Sequence, residues 1–228
     1  MKNTHSLALV TGGSSGIGKA ISTKLSKKYH VINADIHTPE NENGKIKHVK
    51  CDITLAGDVD NLVEEFSRHG QPEVLVLNAG RGIHEKLREG DPEKWCEVIN
   101  LNICGMLRVL RAVLPFMKKG NVIFISSVSA GKPHPYGGVY AATKSAMNTI
   151  AETLRLEEQP EVKVTVISAG IVDTAFFDRM ISTGHSPQDI GWGSVHPDEV
   201  ADAVQFILNQ KPETDINQLT IRPSKQVL

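Results

Sequence analysis

The sequence has few cysteines, and they show no pairing or metal-binding pattern. Among its 228 residues only Cys51, Cys96 and Cys104 are cysteines, without a CxxC spacing, and the nine histidines include no HExxH motif. An odd number of thiols without a pairing pattern is typical of a reducing compartment. These absences argue against a disulfide scaffold and a motif-based metal site. We expect a cytoplasmic protein that binds no metal.

The chain also lacks a marked excess of either charge and a long apolar run. Lys and Arg number 25 and Asp and Glu 26, which gives a formal net charge of −1. The basic residues are scattered, so we expect neither nucleic acid nor a membrane surface as a partner. We expect no segment to approach the ~18 to 20 apolar residues of a membrane span. The apolar run near the start is too short for a signal peptide.

What the sequence does contain is a regular alternation of β-branched runs with amphipathic stretches. This pattern predicts an α/β protein whose parallel sheet carries helices on both faces, in a single domain over residues 1–228. Long helices are predicted at about 92–118 and 138–158, and no helix between the second and third strands, where Pro39, Gly44 and polar residues occur. The irregular stretch at about 175–196 is predicted to form a substrate loop or lid.

A glycine-rich turn, TGGSSGIG, follows the first predicted strand. Such a turn lets the backbone approach a pyrophosphate, which the N–H groups and dipole of the following helix favour, although similar turns also form only to pack helix against strand. Here the motif lies on the first strand of an alternating chain, which favours phosphate binding. The predicted contacts are Gly12, Ser14, Ser15, Gly16, Ile17 and Gly18.

Asp35 ends the second predicted strand, 17 residues after Gly18. A carboxylate at this place can accept hydrogen bonds from the adenosine ribose of NAD and would repel the 2′-phosphate of NADP. The GGSSG turn contains no Arg or Lys, and none lies directly beside Asp35. The pattern therefore predicts NAD, with NADP the less favoured cofactor.

Tyr140 and Lys144 are spaced (i, i+4) on a predicted helix. This spacing puts both side chains on one face, which fits either surface decoration or an acid beside its activating cation. A free tyrosine, with a pKa of ~10, is poorly matched to proton transfer near neutrality. We expect Lys144 and oxidised nicotinamide to lower the pKa of Tyr140, which would then act as the general acid/base.

The motifs in this order resemble the short-chain dehydrogenase/reductase family over nearly the whole chain, from Leu7 to about Pro223. The motifs are TGxxxGIG, an NAG after the fourth strand, and a Ser before YxxxK. The resemblance implies a Rossmann-type doubly wound sheet of about seven strands in the order 3-2-1-4-5-6-7. It also implies an oxidoreductase that interconverts a secondary alcohol and a ketone. The catalytic residues that it implies are Ser127, Tyr140, Lys144 and Asn102.

Further cofactor contacts follow from the same resemblance. Lys144 and Tyr140 would also contact the nicotinamide ribose, and Asp52 would bond the adenine amino group. The segment AGIVDT matches the family's Pro-Gly-x-Val-x-Thr except that Ala169 replaces the proline. The full set implied is Asp52, Ile53, Asn78, Ala79, Gly80, Gly170, Val172 and Thr174.

The substrate is less constrained by the sequence. Bulky side chains near the catalytic helix and in the lid indicate an apolar or ring-bearing ketone, although they could equally anchor the loop. The C-terminal segment is similar to that of family members that act on small hydroxy acids. The short connection between the second and third strands, without a helix, is similar to that of pterin reductases in the family, so a pterin is an alternative substrate. Candidate wall residues are His134, Tyr136, Phe176, Phe177, Met180 and Trp192.

Two other functional classes compete with this reading. A regulatory protein that binds NAD without turnover needs no proton donor, so the presence of Ser127, Tyr140 and Lys144 argues against it. A sugar-nucleotide epimerase or dehydratase would have a different glycine spacing and a larger C-terminal domain. Family members commonly pair their two long helices, so we also expect a homodimer or homotetramer.

Overall fold

The computed structural model describes residues 6–39, 44–132, 134–177, 180–181 and 191–227. Seven strands form one sheet, all parallel, in the order β3-β2-β1-β4-β5-β6-β7, which confirms the prediction. The strands are β1 (Leu7–Thr11), β2 (His30–Asp35), β3 (Ile46–Lys50), β4 (Pro72–Leu77), β5 (Gly120–Ser127), β6 (Val162–Ala169) and β7 (Gln218–Ile221).

Helices connect the strands and cover the sheet. They are α1 (Gly16–Leu25), α2 (Ala56–Ser67), α3 (Pro92–Ile99), α4 (Met106–Val113), α5 (Gly138–Glu158) and α6 (Pro197–Leu208). The bounds of α5 agree with the predicted 138–158. Two local signals in the sequence work as expected: Asp91 caps α3 by accepting from the N–H of Glu93, and Pro92 occupies the first turn.

The buried side chains of the strands divide between two cores. On β1, Leu7 and Leu9 lie in the core under α2, α4 and α5, whereas Ala8 and Val10 lie in the core under α1 and α6. This division follows from the period of two in a strand, and it explains why residues 7–10 of β1 are all apolar: both faces of the strand are covered.

The functional residues lie where the order of the strands in the sheet reverses. Strands β2 and β3 lie beyond β1, and β5 to β7 lie beyond β4, so the order reverses between β1 and β4. Ligands of open parallel sheets bind at the carboxyl ends of the strands at such a point. The ends of β1, β2, β4, β5 and β6 bring Gly12, Asp35, Asn78, Ser127 and Gly170 to this edge.

The first long helix differs from the continuous α-helix predicted over 92–118. Between α3 and α4 the residues Asn100–Gly105 form a π-helical turn, and Leu114–Phe116 form a 3-10 turn that ends the helix. Pro115 explains the 3-10 ending, because it lacks the N–H for a regular helical bond. The π-turn carries the buried side chain of Asn102.

The same helical stretch, Pro92–Phe116, is long and apolar enough to cross a membrane by length and composition alone. We expected no segment to approach the length and apolar composition of a membrane span, and by these two measures that expectation is wrong. Met106, Val109 and Val113 of this stretch pack in the core under α2 and α5. Because a helix packed in a protein interior can meet the same criterion, one such helix is weak evidence for a span.

Two predicted irregular segments are only partly described. Residues 36–39 and 44–45, between β2 and β3, contain no helix, as predicted, while residues 40–43 lie outside the described part. Of the predicted lid at 175–196, residues 178–179 and 182–190 also lie outside it.

Candidate active site

The glycine turn after β1 is shaped by close backbone contacts. Gly12 and Gly16 have φ of 68° and 50°, in the left-handed region that favours glycine. A Cβ on Gly18 would overlap the Gly12 carbonyl and the Asn78 amide, so only glycine fits there. Ser15, at the N-cap of α1, makes no side-chain hydrogen bond to the first turn. The N–H groups in the first turn of helix α1, which the Ser15 side chain does not cap, therefore point towards the glycine-rich turn.

Asn78 holds this turn against the end of β4. Its Nδ2 donates to the carbonyl oxygens of Thr11 and Gly12, each at 3.0 Å. In return, Thr11 Oγ1 accepts from the N–H groups of Asn78 at 3.0 Å and Ala79 at 3.1 Å. The ends of β1 and β4, with Gly80 following, are thus fixed as one unit. Sequence analysis missed this role of Thr11, although the residue begins the glycine motif.

Asp35 is buried at the end of β2 and faces the glycine turn. Its Oδ2 accepts from the N–H of Ser14 and its Oδ1 from the N–H of His37, both at 2.9 Å. The Ser14 hydroxyl donates to the His37 carbonyl at 2.6 Å. The carboxylate thereby joins the turn to the residues after β2.

The predicted adenine contacts lie after β3. Asp52 Oδ1 accepts from the N–H and the hydroxyl of Thr54, at 2.9 and 2.7 Å. Ile53 is buried, and a Cβ on Gly105 would lie 2.8 Å from its Cγ1. Asp52 thus lies in a hydrogen-bonded turn, while the Ile53 side chain packs in the core.

The segment after β6 approaches the glycine turn from the other side. Val172 pairs with Val195 as an isolated bridge, and the Thr174 methyl carbon lies 3.1 Å from the point where a Cβ on Gly16 would be. Gln226 Oε1 accepts from the N–H of Ile171 at 3.1 Å. A Cβ on Gly170 would overlap the Gln226 side chain. No motif in the sequence indicated this role of Gln226.

Tyr140 and Ser127 meet where α5 crosses the end of β5. The Ser127 hydroxyl lies beside the Tyr140 phenol, and Ser127 Oγ accepts from the N–H of Ser129 at 3.1 Å. Burial raises the pKa of Tyr140 to about 12, and the neighbouring Ser127 hydroxyl lowers it only partly. Ser126, on the other face of β5, donates its hydroxyl to Asn148 of α5 at 2.6 Å. The choice of Ser127 over Ser126 therefore rests on the family spacing.

Lys144 lies below Tyr140 on α5 and is almost fully buried. Its Nζ donates to the Ile125 carbonyl at 2.8 Å and lies 5.9 Å from the centroid of the Tyr140 ring. Burial lowers the pKa of Lys144 to about 8. Burial of the phenol acts against the expected lowering of the Tyr140 pKa by Lys144 together with oxidised nicotinamide, and that expectation stays a prediction.

Asn102 links the π-turn to α5 and to the segment after Gly80. Its Oδ1 accepts from the N–H of Arg81 at 2.9 Å, and its Nδ2 donates to the Arg81 carbonyl and to Thr143 Oγ1, each at 3.0 Å. Thr143 in turn donates to the Tyr140 carbonyl at 2.8 Å. Asn102 thus reaches the YxxxK helix through Thr143, a residue that the sequence analysis missed despite its place beside Lys144.

The predicted substrate residues form two groups. The Phe176 ring lies 5.9 Å from that of Tyr140 and 5.8 Å from that of Phe177. Met180 joins this group: a Cβ on Gly82 would lie 3.1 Å from its Cγ.

The second group surrounds His84, which the sequence analysis missed. Its ring lies 5.9 Å from that of His134 and 5.2 Å from that of Tyr136. Trp192 is half-buried, and in the described part of the chain its ring stacks on none of these side chains.

The residues at this edge fit a dinucleotide. The glycine turn is packed closely against the end of β4 and against Thr174, since a Cβ at Gly12, Gly16 or Gly18 would meet atoms of those segments. The N-terminus of α1 beside this turn suits a pyrophosphate. Asp35 lies at one end and the Ser127–Tyr140 pair at the other. Among the described residues, no group of three or more His, Cys, Asp or Glu side chains could hold a metal ion.

Comparison with known proteins agrees with this geometry. The family model for short chain dehydrogenase matches residues 6–183. An uncharacterized oxidoreductase of Staphylococcus epidermidis is 33% identical over 241 residues, which cover 97% of this chain and 99% of the relative.

Solved structures are similar over almost the whole chain. One is an alcohol dehydrogenase from the archaeon Thermococcus sibiricus, complexed with 5-hydroxy-NADP, with a TM-score of 0.82, 27% identity and coverage of 98% of both chains. Another, similar in fold, is a 3-ketoacyl-(acyl-carrier-protein) reductase from Brucella melitensis complexed with NADH, with a TM-score of 0.87, 22% identity and coverage of 97% and 98%. The chain therefore belongs to the short-chain dehydrogenase family and is an oxidoreductase of that family.

Proposed function

We propose that the chain is an NAD(H)-dependent oxidoreductase that interconverts a secondary alcohol and a ketone, with Tyr140 as the general acid/base. The observation that carries this proposal is the meeting of the Tyr140 phenol and the Ser127 hydroxyl, with the Lys144 ammonium 5.9 Å from the centroid of the Tyr140 ring. NAD, when bound, would supply or accept the hydride. The protein must then handle one proton at the substrate oxygen.

The acid–base states of the site suit this role. Because burial raises the pKa of Tyr140 to about 12, the phenol stays protonated at neutral pH and can donate to a carbonyl oxygen. Lys144, with a pKa lowered to about 8, is still mostly charged at pH 7 and favours a negative charge that develops on the phenol. Ser127 would orient the substrate oxygen, because its hydroxyl already contacts the phenol.

Asp35 supports NAD over NADP. Its carboxylate, fixed by the N–H groups of Ser14 and His37, lies where a 2′-phosphate would be repelled. The solved structures include complexes with a derivative of NADP and with NADH, so they favour neither cofactor. The proposal of NAD therefore rests on Asp35.

The remaining parts of the proposal concern substrate and assembly. The substrate would be a small hydroxy acid, or an apolar or ring-bearing ketone that packs on Phe176. A homodimer or homotetramer through the two long helices, in the cytoplasm, remains our proposal for the assembly. The rivals are a regulatory protein that binds NAD without turnover and a pterin reductase.

Two linked measurements test the proposal. The purified protein is titrated with NADH and with NADPH, following nicotinamide fluorescence, for the wild type and Asp35→Ser. Turnover of a panel of ketones, hydroxy acids and a quinonoid dihydropterin is then compared for the wild type and Tyr140→Phe. We expect tighter binding of NADH, a reduced preference in Asp35→Ser, and loss of turnover with retained NADH binding in Tyr140→Phe.

Each part can fail separately. Near-normal turnover in Tyr140→Phe would remove the assigned role of the phenol. Tighter binding of NADPH would overturn the choice of cofactor but leave the chemistry. Binding of NADH by a folded wild type that turns over no substrate of the panel would favour the regulatory rival, and selective turnover of the dihydropterin would favour the pterin reductase.

A further inference from the structure

A cavity of about 430 Å³ lies beside the proposed catalytic centre, between two segments of the chain. One segment comprises residues 85–88 and the other residues 134–136, with Gly138 of α5. The N–H of Glu85 donates to the Tyr136 carbonyl at 2.8 Å, so the two segments are joined. The volume suits a small molecule or part of one.

The cavity adjoins the proton-transfer residues through both of its walls. Gly138, which lines the cavity, precedes Tyr140 by two residues in the first turn of α5. On the other side, His134 Nε2 lies 3.4 Å from Ser129 Oγ, and the N–H of Ser129 donates to Ser127 Oγ. A substrate whose oxygen meets Tyr140 and Ser127 could therefore extend into this space.

The lining of the cavity holds two cations, Lys86 and Arg88, and one acid, Glu85, whose carboxylate is bound by other residues. Glu85 Oε2 accepts from the N–H of Asp91 at 3.0 Å and from Trp95 Nε1 at 2.9 Å, and Glu85 Oε1 lies 3.9 Å from Lys94 Nζ. The Glu85 side chain is only 13% exposed. Its charge is thus directed at those partners and not into the cavity.

The two cations of the lining, Lys86 and Arg88, remain available. Lys86 lies 3.3 Å from Glu89, but both side chains are at least half exposed, and such surface pairs are weak. Arg88 is exposed, and none of the ion pairs found between described residues involves it. A guanidinium and an ammonium at the same cavity would bind a carboxylate through charge-assisted hydrogen bonds.

Tyr136 forms the wall against which such a ligand would lie. Its φ of 68° is in the left-handed region, where a tyrosine is strained. The ring is held 5.8 Å from Lys86 Nζ and 5.2 Å from the ring of His84. The strained backbone thus keeps an aromatic surface beside the cation.

From these contacts we propose that the cavity receives the carboxylate of a keto acid or hydroxy acid, bound by Arg88 and Lys86. This rests on the proposed function and selects the hydroxy acid over the neutral ketone as its substrate class. The carboxylate would lie near Tyr136, and the reacting carbon would face Tyr140.

The test compares acids with their neutral methyl esters, which share the ketone and differ in charge. The probes are levulinate with methyl levulinate and acetoacetate with methyl acetoacetate. Affinity is measured on the Tyr140→Phe protein with NADH bound, from the change in nicotinamide fluorescence, so that binding is read without turnover. The ratio of kcat/KM for acid and ester is measured on the wild type.

We expect the acid to bind at least about tenfold more tightly than the ester, since hydrogen bonds to charged groups commonly contribute that much. Arg88→Met, placed on the Tyr140→Phe background for binding and on the wild type for turnover, should lower both acid-to-ester ratios by about tenfold or more. The matched control is Arg68→Met, an exposed arginine just after α2, at the opposite edge of the sheet. Arg68→Met should keep both ratios.

Equal affinities for acid and ester, binding of neither, or ratios unaffected by Arg88→Met would overturn the carboxylate site. The proposed function fails on a different result, which is turnover retained in Tyr140→Phe. If the protein binds the acid in preference to the ester but turns over neither probe, the carboxylate site is supported. In that case these two ketones are not substrates of the proposed oxidoreduction.

Discussion

The amide of Asn102 offers a sharp test of how the site is held together. The side chain is fully buried in the π-turn and makes three hydrogen bonds, two of them to the backbone of Arg81. In Asn102→Ala the Arg81 N–H and carbonyl lose these partners. Thr143 Oγ1 keeps its bond to the Tyr140 carbonyl, so it is not left unpaired.

The expected magnitude follows from the three hydrogen bonds that are lost. A hydrogen bond contributes a net of about 0.5–1.5 kcal/mol, so Asn102→Ala should lower the free energy of unfolding by roughly 2–4 kcal/mol. For a chain of this length that corresponds to a fall in Tm of about 5–15 °C. The matched control is Asn100→Ala, in the same π-turn, whose exposed side chain only accepts from Arg108 at 3.4 Å.

The assay is urea unfolding of the wild type and both variants, followed by circular dichroism. Both replacements gain similar helix propensity, so the difference between the variants isolates the buried network. Turnover should fall in Asn102→Ala and persist in Asn100→Ala, because Asn102 joins the segment after Gly80 to Thr143 of α5 and Asn100 does not. If the two variants differ by less than about 0.5 kcal/mol, the network does not stabilise the site and the reasoning is refuted.

Two further predictions concern Lys144 and the glycine turn. The folded-state pKa of Lys144, about 8, lies below the ordinary value of 10.5, so protonation of this lysine favours the unfolded chain. The free energy of unfolding of the wild type, measured relative to that of Lys144→Met, should therefore rise by about 2 kcal/mol between pH 8 and 10. If the difference between the two proteins does not change with pH, the ammonium is not buried as described. Gly18→Ala should lose NADH affinity or fail to fold, because the added Cβ would overlap Gly12 and Asn78. Gly57→Ala is the control and should keep its fold and its NADH affinity, because the space around Gly57 is open. Equal NADH affinity of the two variants in fluorescence titrations would contradict this prediction.

The sequence by itself determined the order of the sheet, most of the elements and the residues of the proposed site. Helix α5 could be placed from residue 138 to 158 because its apolar period is long and Gly precedes it. The motif spacing of the family selected Ser127 over Ser126, a choice that strand alternation alone does not make, because Ser126 also bonds to a residue of α5. Asn102 was selected by its motif, but its partner Thr143 was not, since a hydrogen bond across 41 residues leaves no local signal.

Only the tertiary structure decided the electrostatics and the cavity. Sequence spacing places Lys144 near Tyr140, but the three-dimensional burial of both groups decides that the pKa of the phenol rises and that of the lysine falls. Likewise, Arg88 and Tyr136 are far apart in the sequence but line one cavity, beside the hydrogen bond from the N–H of Glu85 to the Tyr136 carbonyl. Local propensities act over a few residues, whereas desolvation and the walls of a cavity depend on segments that only the folded chain brings together.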